Sequence, residues 1–250
     1  RGAGVGAGGN ADPSADRDRN NTRNLQQVVQ VTGISGNTIS FRPALYWDYS
    51  ASLDPEIAIP VSSVRRVGIE NLKIDNSAAT VNDANGDNRL GATENTSEYI
   101  IVQFMHASEC WLKNVETAYG RNHFLLTGTS MCEIRDSYFH NPVGDFYAYG
   151  SDNGYSQVHK SSALLIENNI FEKSMAPTIF AGASGNVVAN NYYYDGRTAD
   201  GCMNSAVNTN HGAHGLYNLL EGNVLSKFQA DFYYGSSSHG MLFRNYLTGN

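Results

Sequence analysis

Six side chains of this sequence have types suited to proton-transfer chemistry: His123, Tyr155, His159, Lys160, His211 and Asp231. Removing a proton beside a carboxylate needs a base, a group to neutralise that carboxylate, and an acid for the leaving oxygen. Histidine titrates near neutrality, and a lysine pKa falls on burial or beside another cation. Gln157, Thr209 and Tyr233 lie close to these residues, and Tyr147 and Tyr149 sit in the preceding segment. Tyrosine supplies flat apolar area and a hydroxyl, which together suit a sugar ring. Hydrolysis would instead need two carboxylates roughly 5–10 Å apart. Asp231 is the one carboxylate of this set, with Asp145 and Asp152 available from the preceding segment.

Two further groups of residues could hold a metal. Asp83, Asn85, Asp87 and Glu94 fall at positions 1, 3, 5 and 12 of a loop, with Leu90 at position 8. That is the EF-hand ligand spacing, with Asn88 where glycine belongs, and it reads as a structural calcium loop. The alternative is a solvated Asp/Asn/Gly connection. His211 and His214 have no third ligand near them in sequence, and no other cofactor is required by any motif. Cys110 and Cys132 are 22 residues apart. They are either a disulfide or a stacked pair of buried thiols.

Composition narrows the classes. The chain has 250 residues, a formal net charge of -7, and only 16% charged residues. An acidic chain of this kind lacks the basic footprint of a nucleic-acid protein. No run of 18 apolar residues offers a membrane span. Hydrophobic residues make up 41%, enough to build a core. The chain opens on Arg1 and closes on Asn250 just after the apolar run Met241–Phe243, which reads as a processed or partial product.

The elements that must position these residues are visible as a repeat. Apolar residues followed by Asn-rich turns recur at 69, 112, 134, 166, 188, 220 and 242. The spacings are 43, 22, 32, 22, 32 and 22. The first reads as two periods, and each 32 as one period with a ten-residue insertion. Val, Ile, Phe and Tyr flank the turns, which favours strands. Asparagine tolerates a left-handed backbone, and its amide can bond to the one a rung above. The expected fold is all-β, a right-handed parallel β-helix with coils of about 22 residues over 65–250. Residues 1–64 read as an arm and loops, with a small hairpin over Val28–Phe41 that caps the coils.

The segments 162–173, 184–196, 210–224 and 235–249 resemble bacterial parallel β-helix proteins of the pectate-lyase and polygalacturonase-like superfamily. The resemblance implies that the strand before each anchor lines a cleft. Counting back eight residues places Phe104, Leu126, Val158, Phe180 and Tyr234 inward, with an equivalent near Asn210. Alternation then turns His123, Tyr155, Gln157, His159, Thr209, His211, Asp231 and Tyr233 outward on one face, with Lys160 at its edge. Both insertions, 140–154 and 195–207, precede this face and would wall a groove. The resemblance implies a secreted or cell-surface protein whose partner is a polysaccharide. Its leading activity is β-elimination of a uronic-acid polymer. Hydrolysis and non-catalytic binding remain open. Asn208-Thr209-Asn210 carries Asn210 where the hydrolases of that family have an acid, and Ser238-His239-Gly240 matches their His-Gly element.

Overall fold

The computed structural model describes residues 26–53, 55–78, 100–120, 122–142, 155–174, 176–196, 206–209, 215–230 and 237–249. Among them there is no α-helix, and the single helical turn is the 3-10 segment Ala51–Leu53. Every other element is a strand, and nearly all strands pair in parallel.

What bends the chain so regularly is a set of residues with positive φ. Within one repeat they are Lys160, Ala163, Asn168 and Lys173, followed by Gly182 at the start of the next. Each position recurs in neighbouring repeats. Asn71, Asn114, Asp136, Asn168, Asn190, Gly222 and Arg244 form one such corner, all with φ between 54° and 66° except Asn114 at 50°. A left-handed backbone is unfavourable for most side chains, and Asn and Asp tolerate it best. The amide of the corner residue is not lost, however. Asp136 N donates to Glu167 O at 3.2 Å, Asn168 N to Ala189 O at 3.1 Å, and Lys160 N to Ala181 O at 2.9 Å. Each of these corners therefore bonds to the repeat stacked on it.

Between the corners run the strands. All seven anchors stand in one parallel ladder, Ile69–Leu112–Ile134–Ile166–Val188–Leu220–Leu242. Ile69 pairs directly with Leu112, so the 43-residue spacing is one repeat with a long connection, not two periods. A second ladder follows the Asn corner: Tyr138–His140, Ile170–Glu172, Tyr192–Tyr194, Val224–Leu225 and Tyr246–Leu247. Gly68–Asp75 and Trp111–Ala118 run through the corner and join both ladders into one twelve-stranded sheet. Ile100–Met105, Asn122–Thr127, Tyr155–His159, Thr178–Ala181, Val207–Asn208 and Phe228–Gln229 make a six-stranded sheet. The long connections all enter this sheet from the same corner, on alternate repeats.

The core lies between these ladders. Leu112, Ile134, Ile166, Val188 and Leu220 are fully buried. Phe139, Phe171 and Tyr193 stack at 4.9 and 4.7 Å. Burying each such side chain is worth about 1.5–3 kcal/mol, and here the neighbouring repeat supplies the burial. Leu220 is 1% exposed, while Leu242, the same position on the last described repeat, is 46% exposed.

A buried amide ladder holds the register. Asn169, Asn191, Asn223 and Asn245 stand above one another. Asn191 Nδ2 donates to Asn223 Oδ1 at 3.0 Å and to Ile166 O at 2.9 Å, while its Oδ1 accepts from Asn169 N and Nδ2, each at 3.0 Å. A second ladder joins Asn186 to Asn218, whose Nδ2 donates to Ala183 O at 3.0 Å. Cys132 and Cys110 hold the equivalent positions two and three repeats below Asn186. Cys132 Sγ lies 3.4 Å from Ser130 O and 3.6 Å from Ala107 O, and Cys110 Sγ 3.3 Å from Ser108 O and 3.8 Å from Val64 O. Both thiols are buried and free, so the disulfide alternative gives way to the stacked-thiol one. The longer contact of each thiol is to the carbonyl that an asparagine amide would take, and the shorter one is to a carbonyl of its own repeat. Burial pushes the Cys132 thiol up to about 12, which keeps it protonated and inert.

The hairpin forms as expected, Gln30–Ser35 antiparallel to Thr38–Arg42 around Gly36 and Asn37. The segment around it does not sit over an end of the stack. It runs along a flank: Arg42 meets Glu109, Val28 bonds Ser162 Oγ, and Trp47 packs on His239 at 6.0 Å. The Tyr46 ring lies where a β-carbon on Gly185 would stand, so only glycine fits that corner.

The amide ladder makes a graded expectation for urea unfolding. Asn191→Ala removes one partner from several buried groups and should cost about 2–4 kcal/mol. Asn168→Ala, at an exposed corner whose side chain bonds Asp136, should cost no more than about 1.5 kcal/mol. Equal costs would mean that the ladder does not set the register.

Candidate functional site

The six-stranded sheet carries the residues expected to line a cleft. Its inward column is as expected over four repeats: Phe104 pairs with Leu126, Leu126 with Val158, and Val158 with Phe180. The opposite face is less open than expected. Leu125 is 9% exposed, Ile179 1% and Asn208 0%. Tyr155 pairs by its backbone with Asn122, and Gln157 with Leu125 and Ile179. His159 pairs with Thr127 and Ala181 and is buried. Lys160 follows at the corner, half-buried, level with Gly128.

Two assignments on this sheet are corrected. His123 does not face outward. It is fully buried, and its Nδ1 is 2.8 Å from Thr117 Oγ1, with its ring 5.7 Å from that of Phe139. Thr117 stands below Phe139 in the inner column, and the imidazole fills the space its short side chain leaves. A register shift next to this point breaks the strict alternation that the counting assumed. Thr209 is also buried. Ile179 pairs with Asn208, so Thr209 takes the inward position of Phe180. The connection absorbs one residue more than the sequence count allowed, and a slip of one turns a side chain to the other face. On the last repeat Thr178 pairs with Val207 and Val207 with Phe228, which sets Lys227 level with Pro177. Asp231, Tyr233, Tyr234, His211, Tyr147 and Tyr149 lie outside the described residues, as do Asp83, Asn85, Asp87 and Glu94. Among the described residues no group of three or more His, Cys, Asp or Glu could hold a metal.

The structure gathers a different set of polar side chains on the second ladder. Two outward columns run up its face. One is Lys73–Glu116–Tyr138–Ile170–Tyr192–Val224–Tyr246. The other holds Asp75, Ala118, His140, Glu172 and Tyr194. Side chains two apart on one strand share a face, so each strand places a pair side by side. Tyr138 and His140 stack at 4.2 Å and 14°, and Tyr192 and Tyr194 at 5.4 Å and 22°. Glu116 binds Lys73 Nζ at 2.8 Å and His140 Nε2 at 3.0 Å. Glu172 accepts from the Tyr138 hydroxyl and pairs with Lys173 Nζ at 3.1 Å. Ile170, Tyr192, Tyr194 and Tyr246 are 38–67% exposed.

These partners fix the protonation states. Hydrogen bonds from Lys73 and then His140 lower the Glu116 carboxyl. The Tyr138 hydroxyl bond lowers Glu172. Burial and then the bond to Glu172 raise the Tyr138 phenol, and the Glu172 bond raises Tyr194. Both carboxyls stay ionised at neutral pH. A general acid would need a raised pKa, so neither Glu116 nor Glu172 is set to donate a proton.

No family model, curated protein or solved structure matches this chain. The site is therefore read from its own chemistry. Sequence reasoning passed over this face because the resemblance directed attention to the strand before each anchor. The signal was present in the strand after it. Glu116, Tyr138, Ile170 and Tyr192 repeat at the same 22- and 32-residue spacing, and Tyr192-Tyr193-Tyr194 alternates out, in, out.

The burial of His123 can be tested by pH. Burial, and then the nearby His140, lowers its imidazole to about 3. The unfolded chain takes up a proton near pH 6.5 that the folded chain refuses until about pH 3. The stability of the neutral form is complete above the unfolded pKa and is lost as pH falls toward 3. Between these limits His123 should contribute a slope of about 1.4 kcal/mol per pH unit. His123→Gln should flatten the stability–pH curve by that amount in urea melts. An unchanged slope would place the imidazole in contact with water.

Proposed function

We propose that this chain is a right-handed parallel β-helix that binds an extended extracellular polysaccharide along its tyrosine–carboxylate face. The fold reading rests on consecutive parallel strands that return to the same three ladders, and on the right-handedness of such crossovers in nearly all known cases. The functional reading rests on one observation. The exposed pair Tyr192–Tyr194 stands on one parallel sheet with Glu116 and Glu172, next to the half-buried Tyr138 and the buried His140 that stacks on it. Paired aromatic rings offer apolar platforms to sugar faces, and ionised carboxylates accept hydrogen bonds from sugar hydroxyls. Rungs about 4.8 Å apart repeat that offer along the axis, which suits a chain-like ligand. Ionised Glu116, Glu172 and Asp75 repel carboxylates, so this face favours neutral polymers over polyuronates.

A second reading is cleavage at the corner where His159 and Lys160 adjoin. It carries over the β-elimination expected from the resemblance and has hydrolysis as its alternative. The two residues are of the required types, and His159 takes the outward position between Thr127 and Ala181.

One panel of neutral and acidic polysaccharides tests both. In affinity electrophoresis, Tyr192→Ala and Tyr194→Ala together should weaken retention by a neutral polymer by about tenfold or more, since stacking contributes roughly 0.5–1.5 kcal/mol per ring beyond its area. Retention equal to that of the parent chain would remove the binding face. Reducing ends accompanied by ultraviolet absorbance of an unsaturated product would establish β-elimination, and Lys160→Ala or His159→Ala should abolish it. Reducing ends alone would establish hydrolysis. Binding without either product would leave the second reading without support.

A further inference from the structure

A second charged site stands on another flank. Glu109 carries three guanidinium partners: Arg65 Nη2 at 2.7 Å, Arg66 Nε at 2.6 Å and Arg42 Nη2 at 2.9 Å. Three arginines around one carboxylate leave two positive charges unbalanced, in a chain whose formal net charge is -7. The arginine side chains are 41–67% exposed. Arg42 also donates from Nε to Gln30 Oε1 at 2.9 Å. Among the described residues the remaining guanidinium N–H groups of Arg42, Arg65 and Arg66 have no partner. The backbone beneath is fixed. Arg66 and Glu109 occupy successive positions of one left-handed corner, and Arg66 N donates to Ser108 O at 3.1 Å.

We propose that Arg42, Arg65 and Arg66, held together by Glu109, form a binding site for a doubly charged tetrahedral oxyanion, a sulfate or phosphate group. Guanidinium presents a rigid planar fork that matches the oxygens of such groups in pairs. Glu109 gathers the three forks before the ligand arrives, so little side-chain freedom remains to be lost on binding. Its carboxyl, lowered to about 2 by the Arg65 and Arg66 bonds, keeps this arrangement across the physiological range. A dianion brings the local charge to zero, which a monocarboxylate does not. The cluster also ties Arg42, and with it the hairpin, to the first repeats, so a tether alone is the competing account.

The test is titration calorimetry of the whole chain with sodium sulfate, sodium phosphate and a sulfated hexasaccharide at physiological ionic strength. Saturable binding is expected, weakened about tenfold or more by the double substitution Arg65→Gln with Arg66→Gln. Arg65→Lys with Arg66→Lys keeps the charge without the fork and should fall between. Glu109→Gln removes the group that gathers the forks and should weaken binding less than the double Gln variant does, since the three positive charges remain. The same affinity in the double Gln variant and in Arg244→Gln, a control arginine on the last repeat, would overturn the proposal and leave the cluster as a tether. Inorganic ions binding as well as the hexasaccharide identify a free oxyanion as the ligand. Preference for the hexasaccharide identifies a sulfate ester on a glycan. No saturable binding to any of the three ends the proposal.

Discussion

The left-handed corner is the constraint on which the rest of this molecule depends. A residue with positive φ turns the chain sharply enough to start a new strand, and it would be disfavoured in isolation. Here its amide donates to the repeat stacked above, as at Glu109 N to Ser130 O and Met131 N to Ser162 O. Turning and stacking are thus one interaction. No repeat can adopt the conformation profitably without its neighbour, and no neighbour aligns unless the corners coincide. The inner columns then follow. Once Ile134, Ile166 and Val188 are forced into one ladder, apolar contact between repeats replaces the contact a globular domain would make between layers.

The corners also decide what the outer surface can do. A residue on a strand flanked by corners has no choice of height or azimuth. Its neighbours above and below are set at about 4.8 Å, and its neighbours two along the strand share its face. Tyr138, His140, Glu172, Tyr192 and Tyr194 are ordinary side chains in this respect. Their interest is that the ladder makes them a surface. Tyr138 reaches Glu172 one rung up, and His140 reaches Glu116 one rung down. A polar pattern written in four separate segments of sequence becomes a continuous strip of rings and carboxylates.

Much of the architecture was legible in the sequence, because the apolar anchor and its asparagine are local signals repeated at a fixed period. All seven anchors stand in register. The inward column Phe104–Leu126–Val158–Phe180 was legible for the same reason. The site was legible only in part. Counting works where connections are of constant length, and it fails where they are not. Thr209 is displaced by one residue and turns inward. His123 fails for another reason. Its position is outward by alternation, but a short Thr117 below Phe139 leaves room inside, and packing overrides period. Nothing in the sequence around His123 encodes that space. It is a property of a residue six positions away and of another repeat. The glutamate–arginine cluster was equally hidden, since Arg42 comes from the hairpin and Glu109 from 67 residues further on.

The two charged surfaces follow the same electrostatic logic with opposite sign. On the tyrosine ladder, Lys73 and Lys173 attend three carboxylates, Asp75, Glu116 and Glu172, while His140 bonds Glu116 and the hydroxyls of Tyr138 and Tyr194 complete the shell of Glu172. On the hairpin flank, one carboxylate attends three guanidiniums. In each case the minority charge fixes the majority groups in place and leaves an excess of one kind of hydrogen-bonding capacity facing outward. The first leaves carboxylate oxygens and rings, which suit hydroxyl-rich ligands. The second leaves N–H forks, which suit oxyanions. Partial neutralisation is what lets like charges stand close, since three bare guanidiniums brought together by the hairpin and the first repeats would repel one another. A parallel ladder multiplies whatever it displays, including repulsion. The partners placed beside Glu116, Glu172 and Glu109 are therefore as much a condition of the fold as of any ligand that the surfaces accept.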